Sequence, residues 1–390
     1  MKLLLYSHFF PPSIGGVETI VLSMARGLAE LRYSNGARQF EVTLITQSPP
    51  GNYNDGVNPF RTIRQPGPIR LWQLIRESDV VHVAGPALAP LILSPLARRP
   101  FVVEHHGFHT ICPNGQLLIE PAGVPCPGHF MAGRQMECLR CNSNHGWAAT
   151  YKLWLLTFVR RFLCTQAAAN ITPTQWLGDL LQLPRAVPIP HGLEAGEAVS
   201  RAAPIPSMPV IAFLGRLVTT KGVRVLLEAA RILREQNRSF ELLIMGDGPE
   251  RESLEQFAHD LQIDAYVCFA GRLNDTELEA SLSRASAVVI PSLGGEVFGL
   301  VAAENMLRGL PIVASDLGAF VEVLGDTGLV FRTGDAEGLA SDLARLLDDP
   351  SLATRLGNGG RERALHFCNK SRMIEAHARV YRVAYAAAKA

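Results

Sequence analysis

A chain of 390 residues is long enough for two or three domains with sizeable cores, and 47% hydrophobic with 19% charged residues is an ordinary globular composition. A formal net charge of +1 gives no basic excess that would indicate a nucleic-acid partner. No apolar run is long enough to span a bilayer, and the short apolar start before Pro11 predicts a buried strand rather than a secretion signal, so we expect a cytoplasmic protein.

Short strand-like runs alternate with helical patterns along the sequence. The first half contains KLLLY, EVTLIT, DVVHV and FVVEH, and the second half contains VIAFLG, FELLIMG, YVCFAG, AVVIPS and PIVAS. Between these runs, apolar residues recur at helical spacing. Continuous apolar strands that alternate with amphipathic helices predict parallel sheets covered on both faces, and hence an α/β fold.

The composition changes at residues 196–209, where Pro, Ala and Ser accumulate and a linker is predicted. We expect two Rossmann-like, doubly wound domains facing a central cleft, the first at 1–195 and the second at 210–370. Residues 371–390 are predicted to form a C-terminal helix that packs back toward the first domain. In such sheets ligands bind beyond the carboxyl ends of the strands, so the residues directly after strands matter most.

The first strand is followed by a glycine pair, Gly15 and Gly16, at the start of a predicted helix. Paired glycines let a ligand approach the backbone closely, and a helix N-terminus offers N–H groups to an anion. A tight turn that merely requires glycine is the alternative. The spacing in SIGGVE differs from G-x-G-x-x-G, which argues against an NAD(P)-dependent dehydrogenase.

Two cations follow the strand that opens the second half. Arg216 and Lys221 flank a short loop leading into a helix in GRLVTTKGVRVLLEA. Such a pair suits a diphosphate, with Arg as a fork and Lys as a compact charge, and it can stabilise a leaving diphosphate without a metal ion. Solvated surface cations are the alternative. The later turn MGDGPE contains an Asp between its glycines and is predicted to be structural.

Two acids lie eight positions apart in SLGGEVFGLVAAENMLRGLPIVAS. Glu296 is predicted in the exit loop of a buried strand, and Glu304 within the first two turns of the following helix. A carboxylate can accept two hydrogen bonds from the vicinal diol of a sugar. An exposed helix residue is the alternative for Glu304. Backbone N–H groups between the two acids belong to Phe298, Gly299 and Leu300.

Together these motifs resemble the GT-B-fold retaining glycosyltransferases of the group-1 family, family four in the sequence classification. The resemblance covers nearly the whole chain and includes YSHFFPPSIGGVE, GRLVTTKGVRVLLEA, GDGPE, the E-x7-E spacing, ASDLGAFVEVL and TGLVF-x-x-GD, in this order. It implies transfer of a hexose from a UDP- or GDP-linked sugar to a hydroxyl acceptor, with retention and without a metal cofactor for the chemistry. A non-catalytic protein that binds sugar nucleotides would have lost the cations or the acid pair, and this sequence has both.

The resemblance also implies a role for each matching residue. The backbone of the Gly15–Gly16 turn would meet the donor phosphate, and the base would rest near Gly271 and Arg272. The remaining implied contacts are Arg216 and Lys221 with the diphosphate, Glu304 with the ribose, and Glu296 with the donor sugar.

A histidine after the fourth strand of the first domain is typical of this family, and VVEHHGFH offers His105, His106 and His109. His106, directly before a glycine, is the best match for the residue that touches the sugar, and His105 stays an alternative. A buried structural histidine is an alternative for each of them. His191 stands where the family often has Asn.

An insertion at about 109–146 is rich in cysteine, proline and glycine. Clustered cysteines in a cytosolic protein favour a metal site, and a tetrahedral zinc ion could order a loop with little core of its own. Reduced thiols without metal are the alternative. The predicted zinc ligands are Cys112, Cys126, Cys138 and Cys141, with His129 and His145 as substitutes.

The next stretch, YKLWLLTFVRRFLCTQAA, combines large apolar residues with Arg160 and Arg161. A helix of this composition could lie on an anionic membrane, as would suit a lipid-linked acceptor and peripheral attachment at the inner face. Because its apolar residues lie nearly all round, we favour a buried helix of the first domain.

Overall fold

The computed structural model describes residues 1–13, 15–142, 146–194 and 208–390. Residues 195–207, which contain most of the predicted linker, lie outside the described residues, as does His145. The chain divides into two compact units. Unit 1 comprises Met1–Gly115, Gly128–Leu193 and Cys368–Ala390, and unit 2 comprises Gln116–Pro127 and Glu194–Phe367.

Strands and helices alternate through most of the described chain. The strands are β1 Lys2–Ser7, β2 Glu41–Thr46, β3 Arg61–Arg64, β4 Val80–Ala84, β5 Phe101–Glu104, β6 Leu118–Ile119, β7 Val124–Pro125, β8 Ala169–Thr172, β9 Ala186–Pro188, β10 Val210–Leu214, β11 Glu241–Met245, β12 Val267–Gly271, β13 Ala287–Ile290, β14 Ile312–Ser315 and β15 Leu329–Phe331. The helices are α1 Gly16–Glu30, α2 Pro68–Glu77, α3 Leu88–Leu96, α4 Glu137–Cys141, α5 Trp147–Thr165, α6 Gln175–Leu181, α7 Val223–Glu235, α8 Arg251–Asp260, α9 Asp275–Ser283, α10 Leu300–Leu307, α11 Gly318–Leu324, α12 Ala336–Asp348, α13 Pro350–Phe367 and α14 Lys370–Lys389.

Unit 1 is built on a parallel seven-stranded sheet in the order β3-β2-β1-β4-β5-β8-β9. The order reverses between β1 and β4, which makes their carboxyl ends the switch point where ligands of such sheets bind. The C-terminal helix α14 belongs to this unit and packs against α1, β4 and β5. A side chain at Gly27 of α1 would lie 2.0 Å from Cδ1 of Ile374, so only glycine lets α14 approach this closely.

Unit 2 has a parallel six-stranded sheet in the order β12-β11-β10-β13-β14-β15. Its order reverses between β10 and β13. Helices α7 and α12 pack together on the core shared with these strands, and α10 packs with α13. The four central strands β10, β11, β13 and β14 are almost entirely buried, as expected for a sheet with helices on both faces, whereas the edge strands β12 and β15 are only partly buried.

The boundaries of the units differ from the predicted domains in one internal segment. Residues 116–127, inside the cysteine-rich insertion, group with unit 2. There the N–H of Gly295 donates to the carbonyl of Gln116 at 2.7 Å, and β6 and β7 form a short antiparallel pair. The insertion is therefore shared between the two units, which the sequence pattern did not predict.

The prediction of a buried helix at 151–168 is wrong for α5. Five of its large side chains are exposed, led by Trp147 at 84% and Phe162 at 66%, and its fully buried positions are Thr150, Thr157 and Cys164. The other large apolar residues of the helix are partly buried, namely Leu153, Trp154, Leu156, Val159 and Leu163. Helices α3 and α4 pack against α5. None of the helices in the described parts of the chain is both long and apolar enough to cross a bilayer.

Candidate functional site

The predicted phosphate-binding cations and sugar-binding acids all lie in unit 2, after two adjacent strands. Arg216 comes two positions after β10, and Lys221 closes the short turn that leads to α7. Glu296 lies in the loop after β13, and Glu304 lies in α10. Because β10 and β13 flank the reversal of the sheet, both loops leave the same edge at the switch point.

Backbone contacts hold these two loops together. The N–H of Leu293 donates to the carbonyl of Thr220 at 2.8 Å. Gly222 has φ +65, and a Cβ there would lie 1.9 Å from the carbonyl oxygen of Pro291. Only glycine permits both this left-handed conformation and this close approach. The sequence thus fixes the loop of Lys221 against the loop of Glu296.

Lys221 and Glu296 form an ion pair, in which the ammonium of Lys221 donates to Oε1 of Glu296. The hydroxyl of Ser292 lies 3.3 Å from the same oxygen. Lys221 keeps 29% of its side chain exposed and Glu296 keeps 12%. A cation that is partly solvated can change partner when a phosphate arrives, since water screens the pair it leaves. Arg216 is exposed beside this turn.

Glu304 lies one turn inside α10, which begins after Gly299 with φ +89. Burial raises the pKa of the Glu304 carboxyl, and the nearby charge of Arg308 opposes this effect. A desolvated carboxyl group gains more than an exposed one from hydroxyl donors, because water no longer supplies them. Glu304 is therefore partly buried rather than fully solvated on the helix surface. Phe298, before Gly299, is buried, and Leu300 begins the helix.

The glycines of MGDGPE pack against the loop after β10, as predicted for a structural turn. A Cβ at Gly246 would lie 1.8 Å from the carbonyl oxygen of Gly215, and one at Gly248 would lie 2.3 Å from that of Leu217. Gly271 ends β12 with φ +70 and accepts from the N–H of Gly246 at 2.8 Å. The exposed Arg272 follows it, so the predicted base-binding residues lie at the same strand edge as the cations.

The glycine pair of unit 1 stands at the N-terminus of α1. Gly15 is the N-cap in an extended conformation, and its carbonyl accepts from the N–H of Thr19 at 3.2 Å. A Cβ at Gly15 would lie 2.5 Å from Oε2 of Glu18. This carboxylate in the first turn complements the helix dipole, so an anionic ligand at Gly15 and Gly16 has to displace it.

The predicted histidine lies beside a buried carboxylate, Glu104, at the end of β5. Oε2 of Glu104 lies 3.2 Å from Nε2 of His82, 3.5 Å from Nε2 of His377 and 3.7 Å from Nε2 of His106, while Oε1 lies 3.8 Å from Nδ1 of His191. Burial opposes ionisation here, yet the charges of His106 and His377 and the hydrogen bonds from His377 and His82 hold the pKa of Glu104 well below its usual range. A fully buried carboxylate is thus kept ionised by imidazoles.

The structure separates the two adjacent histidines. Nε2 of His105 donates to Oδ1 of Asn170 at 2.9 Å, and Nδ2 of Asn170 donates to the carbonyls of Cys164 and Pro184. Burial lowers the pKa of His105 to about 4, so this ring is neutral at pH 7. His105 is a structural residue. His106 is the one in contact with Glu104, with 6% of its side chain exposed, and His109 is an exposed residue.

Sequence reasoning missed most of this histidine cluster. A signal existed, because FVVEH and DVVHV each place an ionisable residue inside an otherwise apolar strand. No comparable sequence signal indicated that Tyr381 and His377 of α14 belong to this cluster. The hydroxyl of Tyr381 lies 3.0 Å from Nδ1 of His82, and Nδ1 of His377 donates to the carbonyl of Met373 at 2.9 Å.

Potential metal ligands occur in two places. Among the described residues, one group has ligand atoms that all lie within 4.8 Å of one another, namely Glu104, His106 and His191. In the insertion, Sγ of Cys141 lies 3.9 Å from Nδ1 of His129. Within the described parts of the chain, the four predicted cysteines do not form such a group. Zinc at the cysteines stays a prediction.

Comparisons with known proteins identify the family of this chain. The pattern described as "Glycosyltransferase Family 4" matches residues 14–195, and that described as "Glycosyl transferases group 1" matches residues 199–363. The chain is 31% identical to the glycogen synthase of Mycobacterium tuberculosis over 98% of its own length and 94% of that protein. It belongs to the group-1 glycosyltransferases of family four. This confirms the resemblance stated from the motifs, and the enzyme class with it.

Two further relatives bear on this glycosyltransferase. It is 28% identical to the GDP-mannose-dependent alpha-(1-6)-phosphatidylinositol monomannoside mannosyltransferase of Mycolicibacterium smegmatis, over 93% of the chain and 94% of that protein. Its fold matches that of Anabaena HepE in complex with UDP-glucose with a TM-score of 0.70, 16% identity and coverage of 100% of both chains. The predicted α/β two-domain GT-B fold is confirmed.

Proposed function

We propose that this glycosyltransferase moves a hexose from a nucleotide-diphosphate sugar to a hydroxyl acceptor, with retention of anomeric configuration and without a metal ion in the chemistry. The observation that carries the proposal is the pairing of Lys221 with Glu296 on loops that leave the switch point of the unit 2 sheet, beside Arg216 and Glu304. A UDP or a GDP donor is consistent with the named relatives, one of which is GDP-mannose-dependent and one of which binds UDP-glucose.

In this proposal the diphosphate binds Arg216 and Lys221. Binding frees the carboxylate of Glu296 from Lys221, so that it can accept hydrogen bonds from hydroxyls of the donor hexose. Glu304 accepts the ribose diol, whose hydroxyls replace the water that burial has removed. The base lies near Gly271 and Arg272, and the N–H groups around Gly299 add to the phosphate site.

The chemistry needs charge stabilisation on the leaving group more than a strong base. The bond between the anomeric carbon and the diphosphate oxygen breaks, and the acceptor oxygen bonds to that carbon on the same face. The acceptor proton passes to the leaving diphosphate, whose negative charge Arg216 and Lys221 stabilise. His106, fixed beside Glu104, contacts the sugar, and the Gly15–Gly16 turn contacts the donor phosphate through its backbone.

Two measurements test the proposal. Thermal shift with UDP-glucose, UDP-N-acetylglucosamine and GDP-mannose identifies the donor, because a ligand that binds the folded state raises the melting temperature. NMR of the product then gives its anomeric configuration. A donor that binds without turnover would make this chain a non-catalytic binding protein, and an inverted product would refute retention.

We also propose that the cysteine-rich insertion holds a structural zinc ion. The support is the burial of Cys112, Cys138 and Cys141 and the short distance from Cys141 to His129, since thiolates and imidazoles are the ligands that zinc prefers. Cys126 is the fourth predicted ligand. A closed four-ligand site has no open position for catalysis, so this zinc would order the loop.

A further inference from the structure

Helix α5 presents its aromatic side chains to the outside. Trp147, Tyr151, Leu155, Phe158 and Phe162 are all exposed, and they follow one another at steps of three or four residues. Side chains at these steps share one face of a helix. They therefore form a continuous stripe along the length of α5.

The fully buried positions of α5 carry small residues, and its remaining large apolar residues are partly buried, namely Leu153, Trp154, Leu156, Val159 and Leu163. Its buried residues are Thr150, Thr157 and Cys164, and Thr157 satisfies its hydroxyl on the carbonyl of Leu153 at 3.0 Å. A surface helix of a soluble domain normally places its largest apolar residues against the core, whereas α5 leaves four aromatic residues exposed. Burial of these aromatic rings would be favourable, so their outward orientation indicates a surface that contacts something other than water.

The neighbouring helix α3 extends this surface. It contacts α5, and its Ile92 and Leu96 are exposed, the latter at 66%. We call the exposed side chains of α3 and α5 the aromatic face, defined by Ile92, Leu96, Trp147, Tyr151, Leu155, Phe158 and Phe162.

The charges around the aromatic face have one sign along both helices. Neither α3 nor α5 contains Asp or Glu. Cations are supplied by Arg98, directly after α3, and by Lys152 on α5, both exposed. Two neighbouring helices contain acids: α4 contacts α5, and its Glu137 is paired with Arg140 at 3.3 Å, while α2 contacts α3 and ends at Glu77. Aromatic residues bordered by basic ones complement the interface of an anionic bilayer, where rings lie at headgroup depth and cations meet lipid phosphates.

We propose that the aromatic face of unit 1 docks on a bilayer that contains anionic phospholipid. Trp147 and Phe162, at the two ends of α5, enter the headgroup region, while Lys152 and Arg98 contact lipid phosphates. The attachment is peripheral, and it does not depend on which sugar nucleotide the enzyme uses.

Vesicle co-sedimentation of the full-length protein tests this proposal. We compare vesicles of phosphatidylcholine alone with vesicles that also contain phosphatidylglycerol. The wild type should sediment with the anionic vesicles, and less so as salt rises. The double variant Trp147→Ser/Phe162→Ser should bind them about tenfold more weakly or worse, because two anchoring rings are lost. Lys152→Glu/Arg98→Glu should lose the preference for phosphatidylglycerol.

The matched control is Val57→Ser/Val383→Ser, which removes two apolar side chains of similar exposure from other parts of unit 1. It should bind vesicles like the wild type. All variants should keep the wild-type melting temperature, since the altered side chains are on the surface. Absence of wild-type binding, or equal loss in the control, refutes the proposal. Light scattering that shows a wild-type dimer and a monomeric Trp147→Ser/Phe162→Ser variant would instead assign the face to a second copy of the chain.

Discussion

The two units hold their central carboxylates in opposite ways. In unit 2, Glu296 pairs with Lys221 at a loop surface where both side chains keep contact with water. In unit 1, Glu104 is completely buried, and four imidazoles surround it. Water lets the first pair separate at little cost, whereas a buried charge cannot lose its partners without a large desolvation penalty. The first arrangement therefore suits a site that exchanges partners with a ligand, and the second suits a fixed support.

The largest difference should appear on removal of each carboxylate. Glu104→Ala leaves buried imidazoles without their common partner and should lower the free energy of unfolding by about 3 to 5 kcal/mol. Glu296→Ala, its matched control at the surface, should lower it by about 1 kcal/mol or less. Urea denaturation at pH 7 measures both. If both variants lost the same free energy of unfolding, the two carboxylates would be held in the same way.

Loss of the exchangeable cation should affect turnover rather than stability. Lys221→Ala should reduce sugar transfer about a hundredfold or more, because charge on the leaving diphosphate loses its partner. The melting temperature should stay close to that of the wild type. Arg231→Ala, which removes an exposed cation of α7 paired with Glu235, is the control and should keep full activity. Wild-type turnover in Lys221→Ala would remove the diphosphate role from this residue.

Acid should destabilise the buried support through its neutral histidines. The pKa of His105 is lowered from 6.5 to about 4 in the folded state, so between these values the unfolded chain binds more protons and stability falls as pH falls. From pH 7 to pH 5 this residue should account for about 2 kcal/mol of lost stability. In His105→Gln, whose amide can still donate to Asn170, this loss of about 2 kcal/mol between pH 7 and pH 5 should be absent. Urea denaturation at both pH values gives the comparison, and an unchanged pH slope in the variant would contradict the assignment.

The smallest effect is expected for the metal content of the cysteine-rich insertion. Purified wild-type protein should contain about one zinc per chain by elemental analysis, and Cys138→Ser/Cys141→Ser should lose it. Cys268→Ser changes an exposed cysteine of unit 2 and serves as the control, with its metal content unchanged. Metal-free wild-type protein, isolated without chelators, would mean that the cysteines are simply reduced thiols.

Local sequence was sufficient where a site is built from residues close in the chain. Gly222 and Lys221 lie in one turn, and Glu296 and Glu304 lie in one strand-loop-helix segment, so their motif spacing already indicated the loops that carry them. The pairing of Lys221 with Glu296 needed only one further fact, the adjacency of β10 and β13, which a doubly wound sheet supplies. The histidine cluster drew on β4, β5, the segment at His191 and α14, and no local pattern links these segments.

The sequence by itself determined the alternation of strands and helices, the two doubly wound sheets and the order of the motifs, because periodicity and glycine turns are local properties of a chain. Only the tertiary structure decided that residues 116–127 join unit 2, that α14 brings His377 to Glu104, and that α5 turns its aromatic residues outward. An apolar helix has the same sequence pattern whether a neighbour covers it or not. Which face is covered depends on packing between segments far apart in the chain, and that packing is not encoded in any one stretch.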